Sequence, residues 1–169
     1  MQIVEAPISL EPFFDFDAIK LYITGSISLD KSENWIMVFI EGLRKCFLKD
    51  KNLFIFHPIR KDWNPELERN EYGSEFRKQF VWELEAQGLA DIVVMHFEHD
   101  ALAPITLMEF GLNVGKDSRL IVHCPKGFWK KGNIDIICIR NEIKQAETLD
   151  DLLKLTIEDI RYLKKCRKL

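Results

Sequence analysis

Residues 88–115 read GLADIVVMHFEHDALAPITLMEFGLNVG. The apolar run 92–95 lies between Ala90-Asp91 and a polar stretch, and its brevity predicts a buried strand rather than a helix. A loop follows over about 96–103. Pro104 suits a first helical turn, because its missing N–H would be unbonded there in any case. The helix it opens runs to about residue 114 and stops at Gly115, a good C-terminal cap. Glu109 lies little more than one turn inside that helix. Gly111, two residues on, removes a side chain and leaves room for another backbone or a ligand. A strand, a loop and a helix presenting an acid near the strand's C-terminal end form a ligand crevice of open α/β sheets.

Outward from this stretch the same alternation repeats. Residues 1–17 are interrupted by Pro7 and Pro12 and carry Phe13, Phe14 and Phe16. They read as an extended arm whose aromatic rings cover the domain or a second subunit. A first strand is predicted over 20–24, closed by Gly25-Ser26. Asp30, Ser32 and Asn34 are candidate N-caps for a helix over 34–48, where Trp35, Val38, Phe39, Leu43 and Phe47 recur at helical spacing. A second strand is predicted over 53–56. The polar segment 57–72 is longer than ordinary connections, a length that often marks a functional loop. A helix over 73–87 precedes the central strand. Beyond it come a strand over 119–123, a fifth strand over 134–139 and a last helix over 149–165. This predicts one domain over 1–169: a three-layer αβα sandwich, flavodoxin-like or Rossmann-like. Its parallel five-stranded sheet would have the order 2-1-3-4-5.

The chain has 169 residues, 47% hydrophobic and 30% charged, with a net charge of -3. That length supports a full core. The slightly acidic balance argues against a dedicated binder of nucleic-acid polymers, whose usual footprint is basic. The basic end at Lys164, Lys165, Arg167 and Lys168 suits a helix C-terminus. No apolar run approaches the roughly 20 residues of a membrane span, and the N-terminus lacks a secretory pattern. Cys46, Cys124, Cys138 and Cys166 are scattered without a CxxC pair, which fits free thiols and a cytoplasmic setting. His57, His96, His99 and His123 lack metal-ligand spacing, so no metal is expected.

Candidate chemistry centres on two acids. An isolated helical glutamate is ordinarily solvated and ion-paired. Glu109, however, is flanked by Leu107, Met108, Phe110 and Leu112, which places it in a crevice. A carboxylate there can attack an electrophilic sugar carbon or stabilise an oxocarbenium ion. Glu83 lies between Trp82 and Leu84 on the preceding helix. Both helices flank the same strand, so the two acids can converge and divide the roles of nucleophile and acid/base. Tyr22-Ile23-Thr24-Gly25-Ser26-Ile27-Ser28 ends the first strand with a glycine and two serine hydroxyls. It reads either as a turn or as a cradle for a sugar or phosphate, with Gly25, Ser26 and Ser28 as its binding residues. It is neither a Walker loop nor GxGxxG. Arg60, Asp62 and Trp63 in the long loop suit an anion and a stacked base, or a cap on the core edge.

Five stretches together resemble the nucleoside 2-deoxyribosyltransferase family, especially its transferase-like branch. They are YITGSIS from Tyr22, HPIRKDW from His57, FRKQFVWELEAQGLADI from Phe76, APITLMEFG from Ala103 and CPKGFWKKGNIDIIC from Cys124. The 2'-deoxynucleoside 5'-monophosphate N-glycosidases are a sister group with the same fold. The resemblance implies that Glu109, in its Glu-x-Gly motif, is the nucleophile. Glu83, eight residues before Asp91, would bind the sugar or support proton transfer, and Tyr22 would bond near the nucleophile. It further implies that Asp91 belongs with the substrate-binding residues, and that Asn133, after strand four, completes a neighbouring subunit's site. The relatives carry Asp where Glu83 stands. Six residues before the nucleophile they carry Asp or Ser, which holds the sugar's 5' end. Ala103 stands there in this chain, and Asp100 or Thr106 are the substitutes.

The activity implied is a double displacement on a 2'-deoxynucleoside, with a free nucleobase as acceptor and no cofactor. Three alternatives stand beside it. One is a nucleoside or nucleotide N-glycohydrolase with water as acceptor, and another a non-catalytic nucleotide-binding module. The third, a flavodoxin-type electron carrier, has only topology in its favour. The resemblance also implies a homodimer or higher homo-oligomer.

Overall fold

Strands covered on both faces must be apolar on both faces, and the strand Ile19–Gly25 shows how this chain uses the two sides. Ile19, Leu21 and Ile23 of that strand join one hydrophobic cluster, while Tyr22 joins the other. Successive side chains point to opposite faces, so the alternation sorts the whole core into two layers. The computed structural model describes residues 1–14, 16–26, 34–58 and 73–169.

In chain order the elements begin with β1 (Gln2–Glu5), a short 3-10 turn (Glu11–Phe13), β2 (Ile19–Gly25) and α1 (Trp35–Phe47). Then come β3 (Leu53–His57), α2 (Ser74–Leu89), β4 (Ile92–His96) and α3 (Pro104–Asn113). The chain continues through β5 (Arg119–His123), α4 (Lys131–Arg140), β6 (Lys144–Ala146) and α5 (Leu149–Arg167). The sheet is parallel, with six strands in the order β1-β3-β2-β4-β5-β6. Helices α1 and α5 cover one face, and α2, α3 and α4 the other. The three-layer α/β class and the order 2-1-3-4-5 hold for β2 to β6. Asn34 proves to be the N-cap of α1, its Oδ1 accepting from Ile36 N at 3.0 Å. No described helix is long and apolar enough to cross a membrane.

Three readings need correction. Residues 134–139, expected as the fifth strand, lie in α4. A strand would bury Ile134, Ile136 and Cys138 together, but Ile136 is 68% exposed. Ile134 and Cys138, one turn apart, are the buried pair, with Ile137 half-buried beside them. The β-branched residues that suggested a strand, Ile136 and Ile139, face outward. The fifth strand of the expected order is instead β6, three residues paired with β5. The arm is also more than an arm: β1 adds a parallel edge strand to β3, in register from Gln2 opposite Phe54 to Glu5 opposite His57. Phe13 packs edge-on against Phe54 and Phe56, and Phe16 against Phe54, so these two rings cover the domain itself. Finally, Gly111 meets no described protein atom within 4 Å of where a Cβ would stand. Close backbone approach therefore does not explain it.

Gly25 is different. It sits at φ +151, and a Cβ would lie 2.2 Å from the His96 carbonyl oxygen and 2.9 Å from the His96 nitrogen. Both are backbone atoms of the paired β4, which cannot step aside without breaking the ladder. Gly25→Ala is expected to cost about 3 kcal/mol or more, combining backbone strain with overpacking. A urea unfolding curve checks it, and an unchanged midpoint would refute the steric reading.

Candidate active site

Glu109 lies on the inner face of α3 together with Thr106, Phe110 and Asn113, all buried. The helix starts at Pro104 behind Ala103, which takes a left-handed conformation at φ 50 and offers no side-chain cap. The opposite wall is β2. Because side chains alternate along a strand, Tyr22 and Thr24, two positions apart, emerge on the same face. Both reach the carboxylate: Thr24 Oγ1 donates to Glu109 Oε2 at 2.6 Å, and Tyr22 OH to Oε1 at 3.5 Å. From α2, Gln87 Nε2 donates to Oε1 at 2.9 Å.

Three donors from two elements thus hold one carboxylate that is only 5% exposed. Burial pushes the Glu109 carboxyl above the ordinary carboxylate range, because a low-polarity site disfavours the charged form. The bonds from Thr24, Tyr22 and Gln87, and the charge of Lys116, pull the other way. Tyr22 is fully buried. Its phenol is held well above its usual range by burial first, then by the charges of Glu109 and Glu83. It therefore stays a donor at neutral pH. Helices α2 and α3 pack on the same face of the sheet, so Glu83 and Glu109 are carried on one side of it. Glu83 is half-buried, and its Oε1 accepts from Gln79 Nε2 at 2.7 Å. Gln79 Nε2 also reaches the Pro58 carbonyl oxygen at 2.7 Å, tying the acid to the end of β3.

The other expected site residues divide. Thr106 lies on the same buried helix face as Glu109. Asp100 does not join it; it is exposed and contacts His99. Ser26 is 8% exposed and already occupied: its Oγ accepts from Glu98 N at 2.6 Å, its N donates to His96 O, and its O accepts from Trp35 Nε1. Gly25 contributes through close strand packing. Asp91 stands at the opposite, N-terminal edge of the sheet. It accepts from Lys20 N at 2.8 Å and pairs with Arg167, so its carboxylate brackets β2, β4 and the end of α5. That geometry sets it apart from the group around Glu109. Asn133 is exposed on α4, not on a loop. Ser28, Arg60 and Trp63, with most of the long loop, lie outside the described residues.

Sequence reasoning missed Thr24, Gln87 and Asn113. Thr24 had a signal, since period-two alternation puts it beside Tyr22. The two amides had none, because a glutamine and an asparagine inside helices read as surface.

A second polar group lies across the sheet. His96 and His123, at the ends of neighbouring strands, stack with ring centres 4.7 Å apart, and their Nδ1 atoms meet at 2.8 Å. Among the described residues no cluster of three or more His, Cys, Asp or Glu is arranged to hold a metal. Burial, and then the neighbouring His123, push His96 down from 6.5 to about 4. A histidine depressed in the folded state leaves the unfolded chain the better proton acceptor. Its contribution to stability is therefore complete above pH 6.5 and is lost as pH falls toward 4. The thermal midpoint should fall across that window, less steeply in His96→Gln; equal slopes in the two proteins would contradict this.

Comparison with known proteins bears on this arrangement. The sequence signature of a family described as nucleoside 2-deoxyribosyltransferase like matches residues 18–128. That span contains Tyr22, Thr24, Glu83, Gln87 and Glu109. No curated protein matches the chain. Among solved structures, a conserved protein from Enterococcus faecalis V583 is similar at a TM-score of 0.53 and 11% identity, over 81% of this chain and 96% of that one. At that identity the likeness is one of fold.

Proposed function

Because the chain belongs to the nucleoside 2-deoxyribosyltransferase-like family, we propose that it cleaves the N-glycosidic bond of 2'-deoxynucleosides and transfers the sugar to another base. The observation that carries this reading is the Glu109 carboxylate, buried and gripped by Tyr22, Thr24 and Gln87. Such a group is fixed in position and poorly solvated, which suits a nucleophile.

In the proposed reaction Glu109 attacks C1' and the C1'–N bond breaks. The departing base takes its electron pair and a proton from Glu83. A deoxyribosyl ester on Glu109 results. A second base then attacks C1' as Glu83 takes its N–H proton, the ester bond breaks, and both acids are restored, with overall retention of configuration. Retaining glycosidases place their two carboxyls about 5–5.5 Å apart. Helices α2 and α3, which carry Glu83 and Glu109, cover the same face of the sheet, as such a pairing needs. No step requires a metal or redox cofactor. Thr106, on the inner face of α3, is the group we assign to the sugar's 5' side, since Ala103 offers no side-chain donor there.

The test is incubation with a deoxynucleoside, with and without a second free base. Base exchange faster than release of free deoxyribose supports transfer. Release indifferent to added base would replace transferase by hydrolase, and calorimetric binding of a nucleotide without turnover would replace both by a binding module.

We also propose a homodimer or higher homo-oligomer. Ile105, Met108 and Leu112 form an exposed apolar stripe on α3, and Val81 and Leu84 are exposed on α2. Apolar stripes of this kind mark association surfaces more often than open solvent faces. A monomer by sedimentation at micromolar concentration would refute it.

A further inference from the structure

A line of hydrogen bonds runs from Glu109 to the end of α3, and all of its links point one way. Lys116 Nζ donates to Asn113 Oδ1 at 3.3 Å. Asn113 Nδ2 donates to Gln87 Oε1 at 2.6 Å and to the Glu109 carbonyl oxygen at 2.8 Å. Gln87 Nε2 donates to the Glu109 carboxylate at 2.9 Å. An amide can be turned end for end, but this sequence of partners fixes both. An ammonium only donates, so Asn113 must present its oxygen to Lys116 and its NH2 to Gln87. Gln87 must then present its oxygen to Asn113 and its NH2 to Glu109. An ionised carboxylate only accepts, and it ends the line. Gln87 and Asn113 are each 1% exposed, so water cannot replace either partner cheaply.

We propose that Lys116, Asn113 and Gln87 form a one-way relay that keeps Glu109 ionised against its burial and so sets the pH at which it becomes a nucleophile. The role in catalysis rests on the reading of Glu109 given above; the relay itself rests only on geometry. Its members are positioning residues. Aligned hydrogen bonds in a poorly polar interior polarise one another, so the far donors strengthen the last. Hydrogen bonds to the charged form lower a carboxyl's pKa. The other titratable groups on this side are Tyr22 from β2, which bonds Glu109, and Glu83 from α2, whose charge bears on the Tyr22 phenol. Neither supplies a cation. Lys116 is a cation whose charge favours the ionised form of Glu109, and it is exposed. Lys116 and Gln87 both line a cavity of about 540 Å³ at the N-terminal edge of the sheet, beside Asp91, Arg119 and Arg167. Solvent ions therefore reach the relay's outer end. Salt should weaken the contribution of Lys116 and spare that of the buried amides.

The test titrates the Glu109 side-chain carbon by NMR on ligand-free protein labelled with 13C-glutamate, the signal being assigned by its loss in Glu109→Gln. Alongside it runs the pH profile of kcat/KM for base exchange. In Asn113→Leu the Glu109 titration should move to higher pH. The acid side of kcat/KM should then fall roughly tenfold while the plateau at higher pH is kept. Lys116→Met should move both in the same direction by less, and the difference should shrink at high salt. Lys116→Arg, which keeps a donor and a charge, should restore the wild-type titration. If Asn113→Leu does not fold, exposed Lys116→Met decides. A Glu109 titration unmoved in Lys116→Met at low salt overturns the relay. A titration that moves in a protein without turnover supports the relay and overturns the functional reading instead.

Discussion

Glu109→Gln is expected to lose sugar transfer by a factor of about a thousand or more while remaining folded. Removing a nucleophile from a site that works as a unit leaves only binding and positioning. Glutamine is the better probe than alanine because every bond can survive. Its amide oxygen accepts from Tyr22 and Gln87 as Glu109 Oε1 does, and its NH2 donates to Thr24 Oγ1 in place of the bond that Thr24 now gives. The variant also imitates the protonated acid. Because burial raises the Glu109 carboxyl in the folded state, its stabilising form is the neutral one. That contribution is present below the ordinary carboxylate range and is lost as pH rises through the raised value. Glu109→Gln should thus unfold at or above the wild-type temperature at pH 7, and the difference should narrow as pH falls toward 4.5. Glu109→Ala should lose turnover equally but leave three buried donors facing a void, at a cost in stability. Wild-type turnover in either variant would remove Glu109 from the reaction.

Glu83→Gln should lower the rate by about a hundred to ten thousand fold, the range for a positioned acid/base. Glutamine keeps the acceptor that Gln79 bonds at 2.7 Å, so Gln79 should keep its bond to the Pro58 carbonyl and the fold should stay intact. What it removes is the proton given to the departing base. The loss should therefore be greatest for bases that leave poorly and small for a base activated to leave on its own. A loss equal for all bases would assign Glu83 to holding the sugar. Glu83→Asp asks the complementary question, since aspartate stands here in the relatives implied by the resemblance. A rate kept in Glu83→Asp would show that the extra methylene is not needed to reach the base.

How much of this could be read from residues alone follows from what each signal depends on. The short apolar runs at β2, β3, β4 and β5 are legible because a sheet covered on both faces needs them. Glu109 stood out because an acid amid Leu107, Met108, Phe110 and Leu112 is a local conflict between charge and burial. The six-residue run Ile134 to Ile139 reads as a strand because two of its β-branched residues, Ile136 and Ile139, are exposed on a helix, where packing does not decide their identity. β6 is three residues long and includes Lys144 and Gln145, so neither length nor hydrophobicity marks it. The amides of Gln87 and Asn113 owe their importance to partners 22 and 26 residues apart in sequence. Only the docking of α2 against α3 brings them together. The partners of Asp91 were hidden for a related reason: its neighbour Ala90 and the strand after it are legible locally, but Lys20 and Arg167 come from the two ends of the domain.

The central claim is that Glu109 carries the sugar between two bases. Its most direct test is to mix the protein with a 2'-deoxynucleoside, quench in acid within the first turnovers, digest and locate any adduct by peptide mass analysis. One deoxyribosyl group on the peptide containing Glu109, absent from Glu109→Gln and discharged by a second base, is the predicted result. Turnover without an adduct at any time, or an adduct on a peptide lacking Glu109, would contradict it.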